Sequence, residues 1–483
     1  MNEKRKAAVA ARRVFGRPRP VGLLAALALT ALTFAWNVSS GPLSNLNDIG
    51  GWDNRLIFLL ESAAAEALLL GAAAFRHRGG TGRLLLRQGL LALAFVMGLL
   101  AINQKTLFYQ QQIQPVIRAM DGGGLAAAAG SGAGCSAAML TLLYALTRGP
   151  VYDMYPVKLL CILCQEALCL LAANEAERRG MKAARADAAL LLLLILPQGF
   201  LSAACAAQTE VAAVLLAAFA LSAPRKDWKS AALMGFACAL SGVLLLILPW
   251  AALRRERGER IPFAANGRAR SIRYAVLALG IAFACQVPAA LLGMPAAQAL
   301  ASPLGALLEA PPYASGSPNL SALFPRAAME EMPEFFLLRR VPELDAETLA
   351  SPFYTQQHFL ALMRGIALTG LAGYAGACAW ARKKLAGLRL WLFVSACALW
   401  MVPGGSMALW LATDCLCIVG ILSEPGLRLP ACLLLFATAA GCCYPVTGET
   451  LVRPALTSGL VLLAGLMLPG LVPGCGGKEI GSN

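Results

Sequence analysis

Apolar runs long enough to cross a bilayer recur from one end of the chain to the other, and short clusters of Lys and Arg punctuate them. About 18 or more consecutive apolar residues read as a transmembrane helix, because the hydrocarbon core is ~30 Å thick and a helix rises ~1.5 Å per residue. Backbone polar groups in lipid must pair within the segment, so such runs fold as helices. The apolar mass is Leu and Ala, both good helix formers. Only 14% of the residues are charged, against about a quarter in soluble domains. The expected fold is all-α: a polytopic transmembrane bundle with about 12 crossings plus re-entrant segments.

Charge placement orients the bundle. The net charge is +15, but the basic residues sit at the ends of apolar runs, where the positive-inside rule places them. That pattern speaks for a membrane and against nucleic acid. Lys4, Arg5, Lys6, Arg12, Arg13, Arg17 and Arg19 precede the first run and put the N-terminus in the cytoplasm as an uncleaved signal anchor. Crossings are expected at roughly 21–38, 56–75, 84–103, 155–174, 186–206, 211–223, 272–292, 357–380, 390–402, 406–421, 429–443 and 452–471. The C-terminus then also lies in the cytoplasm, and the location is the plasma membrane.

Two runs break this alternation. The Gly, Ala and Ser-rich run at 133–147 would, as a full crossing, put Arg178, Arg179, Lys182 and Arg185 outside. The run at 230–250 would do the same to Arg254, Arg255, Arg257, Arg260, Arg268, Arg270 and Arg273. The first is expected to be re-entrant or half of a broken crossing. The second, interrupted by Gly235, Ser241-Gly242 and Pro249, is expected to be a shallow hairpin returning to the inner face. The organisation is therefore a tail and added helical hairpin over 1–80 and a membrane core over 81–294 with an outer loop at 104–130. An extracytoplasmic loop rich in Pro and Glu covers 295–356, and C-terminal helices cover 357–483.

Several chemistries fall away on composition. Two histidines cannot build a His-based metal site. Cys161 and Cys164 form a C-x-x-C spacing mid-helix with no partner pair, which reads as small apolar packing. Asn37-Val38-Ser39 and Asn319-Leu320-Ser321 match a glycosylation sequon, which matters only in a secretory-pathway host. Glu166, an acid inside an apolar run, is a functional candidate or a bond to a neighbouring helix.

Four segments carry a likeness to a known family. Tyr109 to Leu125 includes Met120-Asp121-Gly122-Gly123-Gly124, and Tyr155-Pro156-Val157-Lys158-Leu159-Leu160 follows. Pro197 stands eleven residues before Gln208, in the stretch Ala206-Ala207-Gln208-Thr209-Glu210. Gly235 and Pro249 are fourteen residues apart, with Ser241-Gly242-Val243 between them. The fourth lies at Val402-Pro403 and Gly405 to Leu409. Together they resemble the bacterial relatives of GPI mannosyltransferase II, in the GT-C superfamily of membrane glycosyltransferases. The family has W-G-Q-x-D where this chain has Ala206 to Glu210. Its K-P-Q and M-H-E-R-Y groups are replaced here by Ser241-Gly242-Val243 and Gly405 to Leu409.

The resemblance implies a GT-C-like core and transfer of a sugar, mannose by analogy, from a polyprenyl-phosphate carrier on the outer face. Such chemistry needs a carboxylate as general base and cationic or polar groups, or a divalent cation, at the leaving phosphate. Glu210 and Asp121 are the candidate catalytic acids, and Gln208 and Arg118 the candidate substrate-binding groups. Each has a plainer role open to it: Glu210 as a helix cap, Asp121 as a turn residue, Arg118 as a headgroup anchor. A transporter or flippase-like protein, or a non-catalytic membrane scaffold, are the alternatives.

Overall fold

The computed structural model describes residues 20–39, 51–77, 79–106, 108–129, 135–148, 154–223, 227–253, 265–308, 352–385, 387–401, 407–447 and 452–470. Among these, regular structure is helical throughout. The basic N-terminal tail, Arg254 to Arg260, Gly405, Asn319 and most of the 295–356 loop lie outside the described residues.

Among the described residues six helices are long and apolar enough to cross a membrane: Pro20–Ser39, Asp53–Phe75, Thr81–Leu100, Tyr155–Arg178, Ala269–Leu291 and Pro425–Cys442. A seventh qualifies if Ala183–Ile195 and Pro197–Cys205, bent by 54° at Leu196, count as one span. This is a helical membrane bundle, with fewer helices meeting the full length and hydropathy requirement than the twelve expected. Several other apolar helices have 10–17 residues. At ~1.5 Å per residue a 13-residue helix reaches only ~20 Å. The surface bears out a lipid solvent: Leu68 is 76% exposed while Glu66, two residues away, is fully buried.

In chain order the main helices are α1 (Pro20–Ser39), α2 (Trp52–Arg76), α3 (Thr81–Leu100), α4 (Gln114–Ala129), α5 (Ala137–Thr147), α6 (Tyr155–Arg178), α7 (Ala183–Ile195), α8 (Pro197–Phe200), α9 (Glu210–Ser222) and α10 (Trp228–Leu240). There follow α11 (Leu248–Leu253), α12 (Ala265–Ala284), α13 (Val287–Leu291), α14 (Ala296–Leu308), α15 (Pro352–Lys384), α16 (Gly387–Met401), α17 (Met407–Ser423), α18 (Arg428–Thr447) and α19 (Pro454–Met467).

One end of the bundle is held by charge. Arg83 at the start of α3 donates to Glu177 (2.7 Å) and Asp187 (2.6 Å), at the end of α6 and the start of α7. Arg87, one turn on, donates to Asp187 (2.6 Å) and to the Asn174 amide oxygen (2.7 Å). Arg185 reaches the Leu422 carbonyl at the end of α17 (3.3 Å). The opposite end is held by Lys158, fully buried near the start of α6. Its ammonium donates to the carbonyls of Ile102 (2.6 Å) and Gln104 (2.5 Å), where α3 has just ended and carbonyls lack helical partners. Tyr155 Oη adds a bond to Asn103 (2.6 Å).

Of the two runs that break the alternation, the first holds one short regular helix, and the second is broken and turns back, though only after reaching Glu210, so its hairpin is not shallow. α5 has eleven residues, ~16 Å of helix, and packs within the apolar cluster that includes Tyr155 and Ile102 at the Lys158 end. The 230–250 run is α10, a break at Ser241, a 3-10 turn Gly242–Leu246, and α11. α10 runs alongside α12 in the same direction, since Tyr274 bonds Ser230 (3.3 Å) and Gln286 bonds Ala239 (3.2 Å). After Ser241 the chain turns back: Leu244 and Ile247 line a cavity shared with Ser222, Glu175 and Arg179 of the charged end. Gly242 permits this turn, because a Cβ there would stand 2.0 Å from the Pro303 carbonyl oxygen.

Candidate functional site

The site follows from a proline. Pro197 has no N–H to continue α7 and forces the preceding Leu196 into an extended conformation (φ −60°, ψ 122°). The chain re-enters helix at α8, widens into a π-turn at Leu201–Cys205, and breaks again. Ala207 adopts φ 52°, a left-handed conformation that costs a non-glycine residue about 1–2 kcal/mol. The Gln208 N–H closes the turn on the Ser202 carbonyl (3.1 Å). Strain of this kind persists only where the surroundings hold it, and it concentrates at functional sites.

Two polar side chains emerge from this turn. Gln208 is buried, and its amide oxygen Oε1 has no hydrogen-bond partner. Glu210 opens α9, where the helix N-terminus favours a carboxylate, and is half-buried. Ser241, at the break between α10 and the 3-10 turn, donates to Glu210 Oε1 (3.3 Å). The Cys135 thiol lies within electrostatic reach of Glu210. Two chain breaks far apart in sequence thus meet at one carboxylate.

A neutral frame holds the breaks. Gln286, fully buried after α12, accepts from the Ala138 N–H (2.7 Å) and donates to the carbonyls of Ala239 (3.2 Å) and Ala282 (2.9 Å). Ser136 caps α5 and donates to the Ala239 carbonyl (2.6 Å). Ser302 accepts from the Ala137 N–H (2.8 Å). These groups satisfy one another, so their role is positional.

The other two candidates stand apart from this turn. Arg118 and Asp121 are exposed on α4, which packs on α5 and on the π-turn Tyr109–Ile113 before it. Asp121 faces Arg148 (3.8 Å), which also donates to the Met120 carbonyl (3.0 Å). The fold therefore brings Gln208, Glu210 and Ser241 together at the Lys158 end, and places Arg118 and Asp121 on a neighbouring exposed helix. Ser241 and Cys135 are among the neighbours of Glu210, and no group of three or more His, Cys, Asp or Glu suited to a metal forms among the described residues.

A cavity of about 430 Å³ lies elsewhere, between α6, α9, α16 and α17. Leu168, Val214, Leu244 and Val394 make it apolar, while Glu175, Arg179 and Glu424 bring charge to it at the charged end. None of the four sequence candidates lines it. Gln286, Glu66 and Asp414 are buried polar residues that the sequence pattern did not single out. Each is a lone polar residue in or beside an apolar run, which is the signal that marks them.

Comparison of the chain with protein-family models, curated proteins and solved structures gave no match.

Proposed function

We propose that this chain is a GT-C-like membrane glycosyltransferase that moves a sugar, mannose by resemblance, from a polyprenyl-phosphate carrier onto an acceptor hydroxyl. The observation that carries this reading is the strained Ala207 turn, which presents the Glu210 carboxylate beside the unpartnered Gln208 carbonyl. A bundle with twelve crossings, both termini in the cytoplasm of a plasma-membrane protein, places that turn on the outer face. The basic residues Arg83, Arg87, Arg179 and Arg185 then lie inside, as the positive-inside rule requires.

In this reaction Glu210 takes the proton of the acceptor hydroxyl as its oxygen bonds to the anomeric carbon. The bond from that carbon to the phosphate oxygen breaks, and the polyprenyl phosphate leaves with the electron pair. Ser241 holds Glu210 in place, and Gln208 Oε1 accepts from a sugar hydroxyl. Arg118, exposed one turn before Asp121, meets the phosphate at the headgroup level.

The test is transfer by the purified full-length protein from polyprenyl-phosphate mannose. Glu210→Gln keeps the shape and removes the proton acceptor, so the rate should fall by about 10²–10⁴-fold while lipid binding holds. Full activity in Glu210→Gln removes the base role. Absence of transfer from any polyprenyl-phosphate sugar favours the scaffold alternative. A second reading, a transporter or flippase, draws on the amphipathic cavity at the charged end, since an apolar pocket with few polar groups is the usual form of a small-molecule site.

A further inference from the structure

The bundle buries acids that sugar transfer does not use. Glu66 lies near the middle of α2 and Glu166 near the middle of α6, each more than two helical turns from either helix end. Glu66 is fully buried and Glu166 is 2% exposed. The two are electrostatic neighbours. Two carboxylates at the centre of a bilayer are costly unless positive charge compensates them. Lys158 is engaged with carbonyls at one end of the bundle, and Arg83 and Arg87 with Glu177 and Asp187 at the other.

Helix register brings neutral oxygens to the same place. Thr33 of α1 donates to Glu66 Oε1 (3.0 Å). α1 and α2 run antiparallel, so one turn on along α1 and one turn back along α2 set Asn37 opposite Ser62. Both are buried at 2% exposure. Among the described residues, Asn37 Oδ1, Ser62 Oγ, Glu66 Oε2 and Glu166 Oε2 all lack a hydrogen-bond partner. Burying an oxygen without a partner is unfavourable, so four from three adjoining helices call for a ligand.

We propose that Asn37, Ser62, Glu66 and Glu166 bind one Na⁺ ion inside the bundle, between α1, α2 and α6, with Thr33 orienting Glu66. The donors are all hard oxygens, which suit an alkali or alkaline-earth ion and not a thiolate-loving transition metal. Na⁺ loses its water at less cost than a divalent ion. One Na⁺ with one proton shared by the carboxylates leaves the cluster neutral. The site sits on the N-terminal hairpin and α6 and is independent of the transfer chemistry at Glu210.

The experiment is thermal unfolding of the full-length protein in nanodiscs, with NaCl exchanged for choline chloride or KCl at constant ionic strength, beside binding of radiolabelled Na⁺. The expected result is a saturable rise in Tm with Na⁺, because a ligand that binds only the folded state stabilises it by mass action. Glu166→Gln and Glu66→Gln should each abolish both the rise and the bound label. Ser62→Ala, a milder change that keeps the fold if the acid variants do not, should raise the half-saturating Na⁺ concentration about tenfold. Equal Tm values in Na⁺, K⁺ and choline would overturn the site. So would a Na⁺ response left intact by Ser62→Ala and by the acid variants. Stabilisation by acid pH alone, indifferent to the cation, would overturn it in favour of a proton shared between the carboxylates.

Discussion

Asp187 ties α7 to α3 through two guanidinium groups at once. It accepts from Arg83 and Arg87 at 2.6 Å each, and Arg87 is only 2% exposed. Removing Asp187 leaves Glu177 as the one described carboxylate facing both arginines, at about 3 kcal/mol. Asp187→Ala should lower stability by that amount in denaturant unfolding, and Asp187→Asn, which keeps part of the hydrogen bonding, by less. Gln286→Leu should cost about 1–3 kcal/mol, since it strands the Ala138 N–H. At this scale the sequence showed which residue types were unusual and not what they meet. Glu166 stood out as an acid in an apolar run, but its neighbour Glu66 comes from a helix 100 positions earlier. Gln208 and Glu210 were legible from their spacing to Pro197, whereas the Ser241 hydroxyl on Glu210 depends on the meeting of two breaks. Asn37 looks like part of a sequon and proves to be buried against α2.

At the level of elements, the broken runs show how local chemistry sets topology. Gly235, Ser241-Gly242 and Pro249 marked 230–250 as unable to form one straight helix, and the charge behind it required a return. Where the break falls was not legible, because it depends on Gly242 meeting the Pro303 carbonyl from a segment about 60 residues on. Gly242→Ala should cost about 1–3 kcal/mol, as a methyl group 2.0 Å from a backbone oxygen forces the turn away from α14. Its displacement should also disturb Ser241, so transfer activity is expected to fall with stability, measured on the same preparation. α5 illustrates the converse: an apolar, helical segment too short to cross, held at one end of the bundle by Ser136 and Gln286.

Across the whole molecule, the recurrence of apolar runs was the most legible feature and the number of crossings the least. Among the described residues six helices, or seven with the bent pair, meet the full requirement, and several other apolar helices are shorter. The directions of these helices still sort the ionic residues to one end and the Ala207 turn to the other. The transfer chemistry depends on the second end facing outward. Single cysteines placed at Asp121 and Arg270 in a cysteine-depleted background test this with a membrane-impermeant thiol reagent, both positions being exposed. Asp121→Cys should label in intact cells, and Arg270→Cys only after permeabilisation. Labelling of Arg270→Cys from outside, with Asp121→Cys protected, would put Glu210 on the cytoplasmic face and contradict an outward-facing transferase.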